Sequence, residues 1–235
     1  MTGGPFQNIK YEMTMFIKSA YRICPSSGDE PDYREIIPDA NMRRRMGRIV
    51  RMGVAAALKC TEPFPDISIG AVIAATSMGC LADTGKFLDE ISDRNESMLN
   101  PSPFIYSTFN TIAGQIAIIK GILAYNMTYV NRGNGFSDAL VDAWLCLGEG
   151  KDNILVVSYD ESTPVSTAIM ERLGCNYIPD AEAVAFLFSS SDGYPCPDPL
   201  EGCLDPGTRL AGMRDMGMNV CSADLLYRQF ISGVN

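Results

Sequence analysis

The 235-residue sequence contains no histidine, and this absence limits the chemistry that it can support. Histidine is the commonest general base near neutral pH and the usual activator of serine and cysteine nucleophiles. These 235 residues therefore cannot build a Ser-His-Asp, Cys-His-Asn or Cys-His-His site from their own side chains. Lysine and carboxylate bases remain available, because the sequence has 19 Lys and Arg and 28 Asp and Glu residues.

Cysteines are the next candidates for chemistry, and most are interpreted as small buried side chains. The eight are Cys24, Cys60, Cys80, Cys146, Cys175, Cys196, Cys203 and Cys221. None has the C-x-x-C spacing of a zinc ribbon or redox pair, so no metal or cofactor site is predicted. Cys80 is best placed to be a nucleophile, because it follows a predicted strand and opens a predicted helix. A buried structural residue at a tight turn explains it more simply.

Composition and charge exclude several classes of protein. The net charge of −9 argues against nucleic acid or an anionic membrane surface as the main partner. There is no apolar segment of about 18 residues to predict a membrane span, and the first 12 residues lack a signal-peptide core. Since no disulfide framework is predicted either, a cytoplasmic protein is expected. The length favours a single domain over residues 1–235.

Strands and helices alternate along the predicted chain, which indicates an α/β fold. Strands are predicted at 10–18, 67–76, 126–131, 153–159 and 183–189, and helices at 40–60, 80–92, 107–122, 135–147 and 164–173. Asp39 and Ser107 are the expected caps of two helices. Residues 19–38, the segment with Pro101 and Pro103, and residues 190–209 are expected to be loops. The order predicts a layered mixed sheet with helices on both faces.

The segment 100–160 resembles the β-ketoacyl-acyl carrier protein synthases of the thiolase-like superfamily. It begins "NPSPFIYSTFNTIAGQIAIIKG" and follows the family pattern "SPF…ST…N…AG…I…G". The residues in register are Pro103, Ser107, Asn110, Ala113, Gly114 and Gly121. Upstream, "IGAVIAATSMGCL" resembles the family's glycine-rich strand and turn, so the resemblance covers about 65–160 and, more weakly, 40–190. Short chain-length-factor-like subunits of aryl polyene and polyketide pathways also share the Arg-rich helix near "RRRMGRI".

This resemblance places Gly133 where active synthases have their nucleophilic cysteine. In those enzymes the cysteine lies at the start of a buried helix, whose dipole and N–H groups lower its pKa. A shift of one residue within "VNRGNG" gives Arg132 or Asn134, which are no better as nucleophiles. The family's two histidines belong to a C-terminal half that the chain is expected to lack. The resemblance therefore implies a thiolase-like half-fold without catalytic residues.

The resemblance also implies residues that face a partner. The candidates for the acyl tunnel or subunit interface are Met78, Phe104, Phe109, Ile112 and Ile116. In synthase dimers such bulky side chains limit the length of the acyl chain, because overpacking an interior costs about 1–3 kcal/mol. The strand 126–131 is expected to pair with its counterpart across the dimer, and the uncovered apolar face of a half-fold needs a partner.

Arg43, Arg44 and Arg45 form a basic cluster in the first turns of the predicted helix 40–60. They are candidates for docking an acidic acyl carrier protein, although a solvated helix face explains the cluster as well. Asp160 and Glu161 follow a predicted strand end, where functional residues often gather. Neither has a partner visible in the sequence, so both are expected to be solvated in a loop.

Three hypotheses follow from these residues. The leading one is a non-catalytic subunit that pairs with an active β-ketoacyl synthase and helps to shape its acyl tunnel. The second is an independent acyltransferase or synthase that uses Cys80, or another nucleophile, with a lysine or aspartate base. The third is a homodimeric scaffold that retains the fold without the chemistry.

Overall fold

The structure is a computed structural model that describes residues 14–28, 30–174, 180–197 and 219–234. In these residues the centre is a mixed sheet in the order β3-β2-β4-β5-β1-β6. Its strands are β1 (Phe16–Ile23), β2 (Ala71–Thr76), β3 (Tyr125–Val130), β4 (Ile154–Glu161), β5 (Ala181–Ser189) and β6 (Tyr194–Pro195). The strands β3, β2 and β4 run parallel, whereas β5 is antiparallel to both β4 and β1.

Helices cover both faces of this sheet. They are α1 (Tyr33–Ile36), α2 (Ala40–Arg45), α3 (Arg48–Thr61), α4 (Leu81–Asp93), α5 (Pro101–Ser107), α6 (Thr111–Lys120), α7 (Gly135–Gly148), α8 (Pro164–Arg172) and α9 (Asn219–Val234). One face packs against α3 and α6, and the other against α7 and α9. This arrangement confirms the predicted layered α/β fold.

The central strands are buried on both faces, as expected for strands between two helical layers. Every residue of β4 and β5 is buried. Leu155 and Val157 face the α3 layer, whereas Ile154 and Val156 face the α7 layer. The end of β4 is therefore held between two cores, which fixes the direction of the side chains that extend beyond it.

Several predicted elements differ from the structure at their boundaries, among them the first strand and the first long helix. The strand predicted at 10–18 is β1, which continues to Ile23 through a shift in register between Ile17 and Ser19 that interrupts the simple alternation. Residues 10–13 of that prediction lie outside the described residues. The helix predicted at 40–60 is divided into α2 and α3, because Met46 and Gly47 adopt extended backbone.

Pro101 and Pro103 were expected in a loop, and this expectation is wrong. They belong to α5, because proline is tolerated in the first helical turn, where its missing N–H would have no helical partner. Asn100 caps this helix by accepting a hydrogen bond from the Ser102 N–H at 3.0 Å. As a result Ser107 ends α5, and α6 begins after Asn110 instead. Among the residues described, no helix combines the length and apolar character that crossing a membrane requires.

Alanine substitutions at Gly53 in α3 and Gly85 in α4 test how closely α3 packs against α6. A Cβ atom at Gly53 would lie 2.8 Å from both Cγ2 and Cδ1 of the buried Ile112, whereas one at Gly85 would meet nothing within 4 Å. We expect Gly53→Ala to lower the free energy of unfolding by about 1–3 kcal/mol through overpacking. Gly85→Ala should raise it by about 0.5–1 kcal/mol through helix propensity.

Urea denaturation of the two variants and the wild type measures these changes. Stabilisation by Gly53→Ala equal to that by Gly85→Ala would show that α3 and α6 are not in close contact.

Candidate functional site

The carboxyl end of β4 carries two acidic residues that the sequence predicted in a solvated loop. That prediction is wrong, because Asp160 is fully buried and Glu161 is only 4% exposed. The strand extends two residues beyond its predicted end, and these residues pair with Glu182 and Ala181 of β5. Pairing between strands, which no local pattern reveals, therefore places both carboxyl groups inside the protein.

The carboxylate of Asp160 holds the turn between β2 and α4. Its Oδ1 accepts hydrogen bonds from Thr76 Oγ1 at 2.9 Å and from the Ser77 N–H at 2.7 Å, and its Oδ2 accepts one from Ser77 Oγ at 3.1 Å. Thr76 Oγ1 in turn accepts the Gly79 N–H at 2.9 Å. Since a buried carboxylate is costly without donors, this network fixes the course of residues 76–79.

Gly79 and Phe109 are in direct contact beside this turn. The backbone of Gly79 is left-handed (φ +75°), and a Cβ atom there would lie 2.4 Å from Cδ1 of Phe109. Only glycine therefore fits both the conformation and the contact. On the other side of Phe109, its carbonyl oxygen accepts a hydrogen bond from the hydroxyl of buried Tyr159 at 2.6 Å.

The tunnel candidates fall into two groups. Met78 is partly buried against the α7 core, whereas Phe109 and Phe104 are 47% and 54% exposed. In contrast, Ile112 and Ile116 are fully buried in the core that contains α3. Their face of α6 packs inward, so the structure does not bring these two side chains to the surface. The tunnel or interface role stays a prediction for all five residues.

Cys80 has the features of a structural residue. It is fully buried at the N-cap position of α4, and its side chain makes no capping hydrogen bond. Burial raises the pKa of its thiol, and the nearby charges of Glu161 and Asp83 raise it further. A reactive cysteine needs the opposite environment, one that favours the thiolate. Within the described residues, no cluster of three or more Cys, Asp or Glu side chains is arranged to hold a metal ion.

Gly133 lies in the short 3₁₀ turn Arg132–Asn134, between β3 and α7. The first turn of α7 contains no cysteine, and the cysteine of this helix is the buried Cys146 near its other end. The helix α9 packs against the same 3₁₀ turn and against α7. The described start of this helix thus has no cysteine, and α9 covers it on one side.

An ion-pair network holds α9 against the sheet. Arg22 Nε on β1 donates a hydrogen bond to Glu182 Oε1 at 2.6 Å and lies 2.7 Å from Asp224 Oδ1 on α9. Asp224 also pairs with Arg228 one turn later, at 2.7 Å. Because Glu182 and Asp160 are opposite each other in register, Arg22 compensates one of two adjacent buried carboxylates. The sequence contains no local signal for this network, since its members come from three distant segments.

The edge strand β3 and the basic helix α2 present the remaining candidate surfaces. In the described sheet, β3 has β2 as its neighbour on one side and no strand on the other. Its exposed apolar side chains include Met127 and Val130.

In α2, Arg44 and Arg45 are exposed, whereas Arg43 donates hydrogen bonds to the carbonyl groups of Ile37 and Pro38. Arg43 therefore has a structural role.

Glu161 makes stability depend on pH. Burial raises its pKa from an ordinary 4.5 to about 7; the Ala82 N–H, Lys86 and Arg48 oppose this increase, and the charge of Asp83 adds to it. Since the folded pKa is the higher one, the contribution of Glu161 to stability is complete below about pH 4.5 and is lost as the pH rises through 7. The free energy of unfolding of Glu161→Gln, relative to that of the wild type, should therefore increase by roughly 2 kcal/mol when the pH rises from 5 to 8.

Denaturation curves at both pH values test this prediction. The control is Glu171→Gln on α8, which makes the same change at an exposed side chain. Parallel pH profiles for Glu161→Gln and the wild type would show that Glu161 does not ionise in a buried site.

Comparisons with known proteins agree with this architecture. No curated protein matches the sequence significantly. Among solved structures, the chain is similar to the ketosynthase (ApeO) in complex with its chain length factor (ApeC) from Xenorhabdus doucetiae. The TM-score is 0.61 at 17% identity, over 77% of this chain and 81% of that chain. The ishigamide ketosynthase/chain length factor gives a TM-score of 0.63 at 16% identity, over 76% of this chain and 62% of that chain.

A third similar structure is AntDE:AntF, a type II PKS acyl-carrier protein in complex with its ketosynthase bound to the hexaketide. Its TM-score is 0.66 at 12% identity, over 77% of this chain and 63% of that chain. The chain thus spans less than two thirds of the length of the last two structures, and at these identities the likeness shows the fold alone. A sequence profile described as "Beta-ketoacyl synthase, N-terminal domain" matches residues 18–198. Since this match covers most of the sequence, the chain belongs to the β-ketoacyl synthase N-terminal domain family.

Proposed function

We propose that the chain is a non-catalytic subunit that pairs with an active β-ketoacyl synthase and helps to set the length of its acyl product. The main support for this proposal is the turn before α7, because Gly133 provides only backbone where a nucleophile would be needed. The 235 residues contain no histidine to activate a substitute, and the buried Cys80 is disfavoured as a thiolate. These observations support a subunit that does not catalyse condensation by itself.

Exposed apolar side chains on β3, on α5 and α6 and on the connections between these elements support a role in pairing. They are Phe104, Ile105, Phe109, Ile118, Leu123, Met127 and Val130. The open edge of β3 can add a further strand through main-chain hydrogen bonds. Two of the similar structures are ketosynthases with a chain length factor, so a synthase is the partner that we propose for this surface.

A basic surface on α2 supports a second contact. Arg44 and Arg45 are exposed at the end of this helix, and an acyl carrier protein with acidic helices would complement their charge. One of the similar structures contains an acyl-carrier protein with its ketosynthase. We propose this docking as an addition to the pairing, which does not depend on it.

Reconstitution tests the proposed function. A β-ketoacyl synthase should co-purify with the affinity-tagged chain from its source organism. In a condensation assay with acyl carrier protein substrates, the chain alone should form no product, and the pair should form a different range of product lengths from the synthase alone. Gly133→Cys should leave the isolated chain inactive, because no histidine in these residues can activate the new thiol.

Two results would contradict this proposal. An acyl group that binds covalently to the isolated chain and turns over would favour an independent enzyme. A stable homodimer that ignores synthases and carriers would favour a scaffold.

Substitution at the edge strand tests the proposed interface. The double substitution Met127→Lys and Val130→Lys should weaken pairing at least tenfold, because lysine on an edge strand disfavours addition of another strand. Both side chains are exposed, so the free energy of unfolding should change by less than about 0.5 kcal/mol. Sedimentation velocity over a concentration series measures the dissociation constant. The control is Leu225→Lys on α9, and equal affinity in both variants would exclude β3 from the interface.

A further inference from the structure

Tyr159 and Asp160 are consecutive residues of β4 whose side chains lie on opposite faces of the sheet. Tyr159 faces the core with α3 and α6, whereas Asp160 faces the side with α7 and α9. Both are fully buried, so neither can touch a partner or an acyl chain directly. Each nevertheless makes a hydrogen bond to one of two segments, which touch at the contact between Gly79 and Phe109.

Asp160 controls the first of these segments. Its carboxylate accepts both the N–H and the hydroxyl of Ser77, and it also accepts the hydroxyl of Thr76, which in turn accepts the Gly79 N–H. Met78 lies at the middle of this turn and has no hydrogen-bonding group in its side chain. Its position is therefore set by the neighbours that Asp160 holds.

Tyr159 controls the second segment. Its hydroxyl donates to the carbonyl oxygen of Phe109 at 2.6 Å, in the short connection between α5 and α6. The ring of Phe109 packs directly on Gly79, so the two segments are coupled at this contact. A change in either support should move the relative positions of Met78 and Phe109.

We infer that Tyr159 and Asp160 are positioning residues that set product length by fixing Met78 and Phe109. This inference rests on the proposed function, because it requires these two apolar side chains to meet the growing acyl chain. Densely packed walls exclude further methylene groups by volume, so a small displacement of the wall changes the length that fits. Tyr159 and Asp160 thus act through Met78 and Phe109, without contact with the substrate.

Product analysis of the reconstituted pair tests the inference. Tyr159→Phe removes one hydroxyl and keeps the ring, and Asp160→Asn keeps the size of the side chain with only one acceptor oxygen. Each should at least double the fraction of product longer than the main wild-type product, measured by mass spectrometry relative to total product. Met78→Ala and Phe109→Ala should change the distribution in the same direction and by more.

Tyr33→Phe is the matched control. It also removes a tyrosine hydroxyl hydrogen bond, which Tyr33 in α1 makes to Glu30, and it should leave the distribution as in the wild type. Thermal unfolding of each variant identifies those that do not fold. In that case Ser77→Ala, which removes one donor to Asp160 and keeps its carboxylate, provides the result. Wild-type lengths from folded Tyr159→Phe and Asp160→Asn would overturn the inference.

The same experiment separates this inference from the proposed function. If the wild-type chain does not change the product of the synthase, the proposed function fails. If the wild-type chain changes the product and the β4 variants behave as the wild type does, only the inference fails.

Discussion

One buried carboxylate determines much of the local structure around the candidate site. Asp160 has no access to water, so its charge must be balanced by hydrogen-bond donors from the protein. Thr76 and Ser77 supply three of them, and the turn after β2 folds around these bonds. The left-handed backbone of Gly79 and its contact with Phe109 follow from that turn. The hydrogen bonds that balance this buried charge thus fix the turn and the apolar side chains packed beside it.

The described residues around the candidate site combine buried supports with apolar side chains that reach the surface. A thiol is present near the site in Cys80, but burial and two neighbouring carboxylates disfavour its ionisation. The helix α9 packs against the turn that contains Gly133. The ion pair between Arg22 and Asp224 holds α9 in this position. This part of the fold presents supported apolar side chains, an open strand edge and an exposed basic helix end.

The layers of the fold follow from local patterns, whereas the site follows from distant contacts. Alternating elements predict the α/β layers, because each pattern depends on neighbouring residues and on burial of one face. Asp160 and Glu161 were misplaced because their burial depends on pairing with Glu182 and Ala181 of β5, which follow much later in the chain. The burial of Ile112 likewise depends on a distant contact, with Gly53 of α3. Asn100 and the two following prolines do carry a local signal for α5, since they match a capped helix start.

The order of strands in the sheet has a consequence for synthesis on the ribosome. Among the described strands β1 is synthesised first; its main partner is β5, and the contact between Arg22 and Glu182 spans 160 residues. At about 5–20 residues per second, β1 waits roughly 10–30 s for that partner. During this time its apolar residues remain available to chaperones and to other nascent chains. Contacts of such long range also slow folding, so the yield of this protein in a cell should depend on chaperone supply and on the rate of translation.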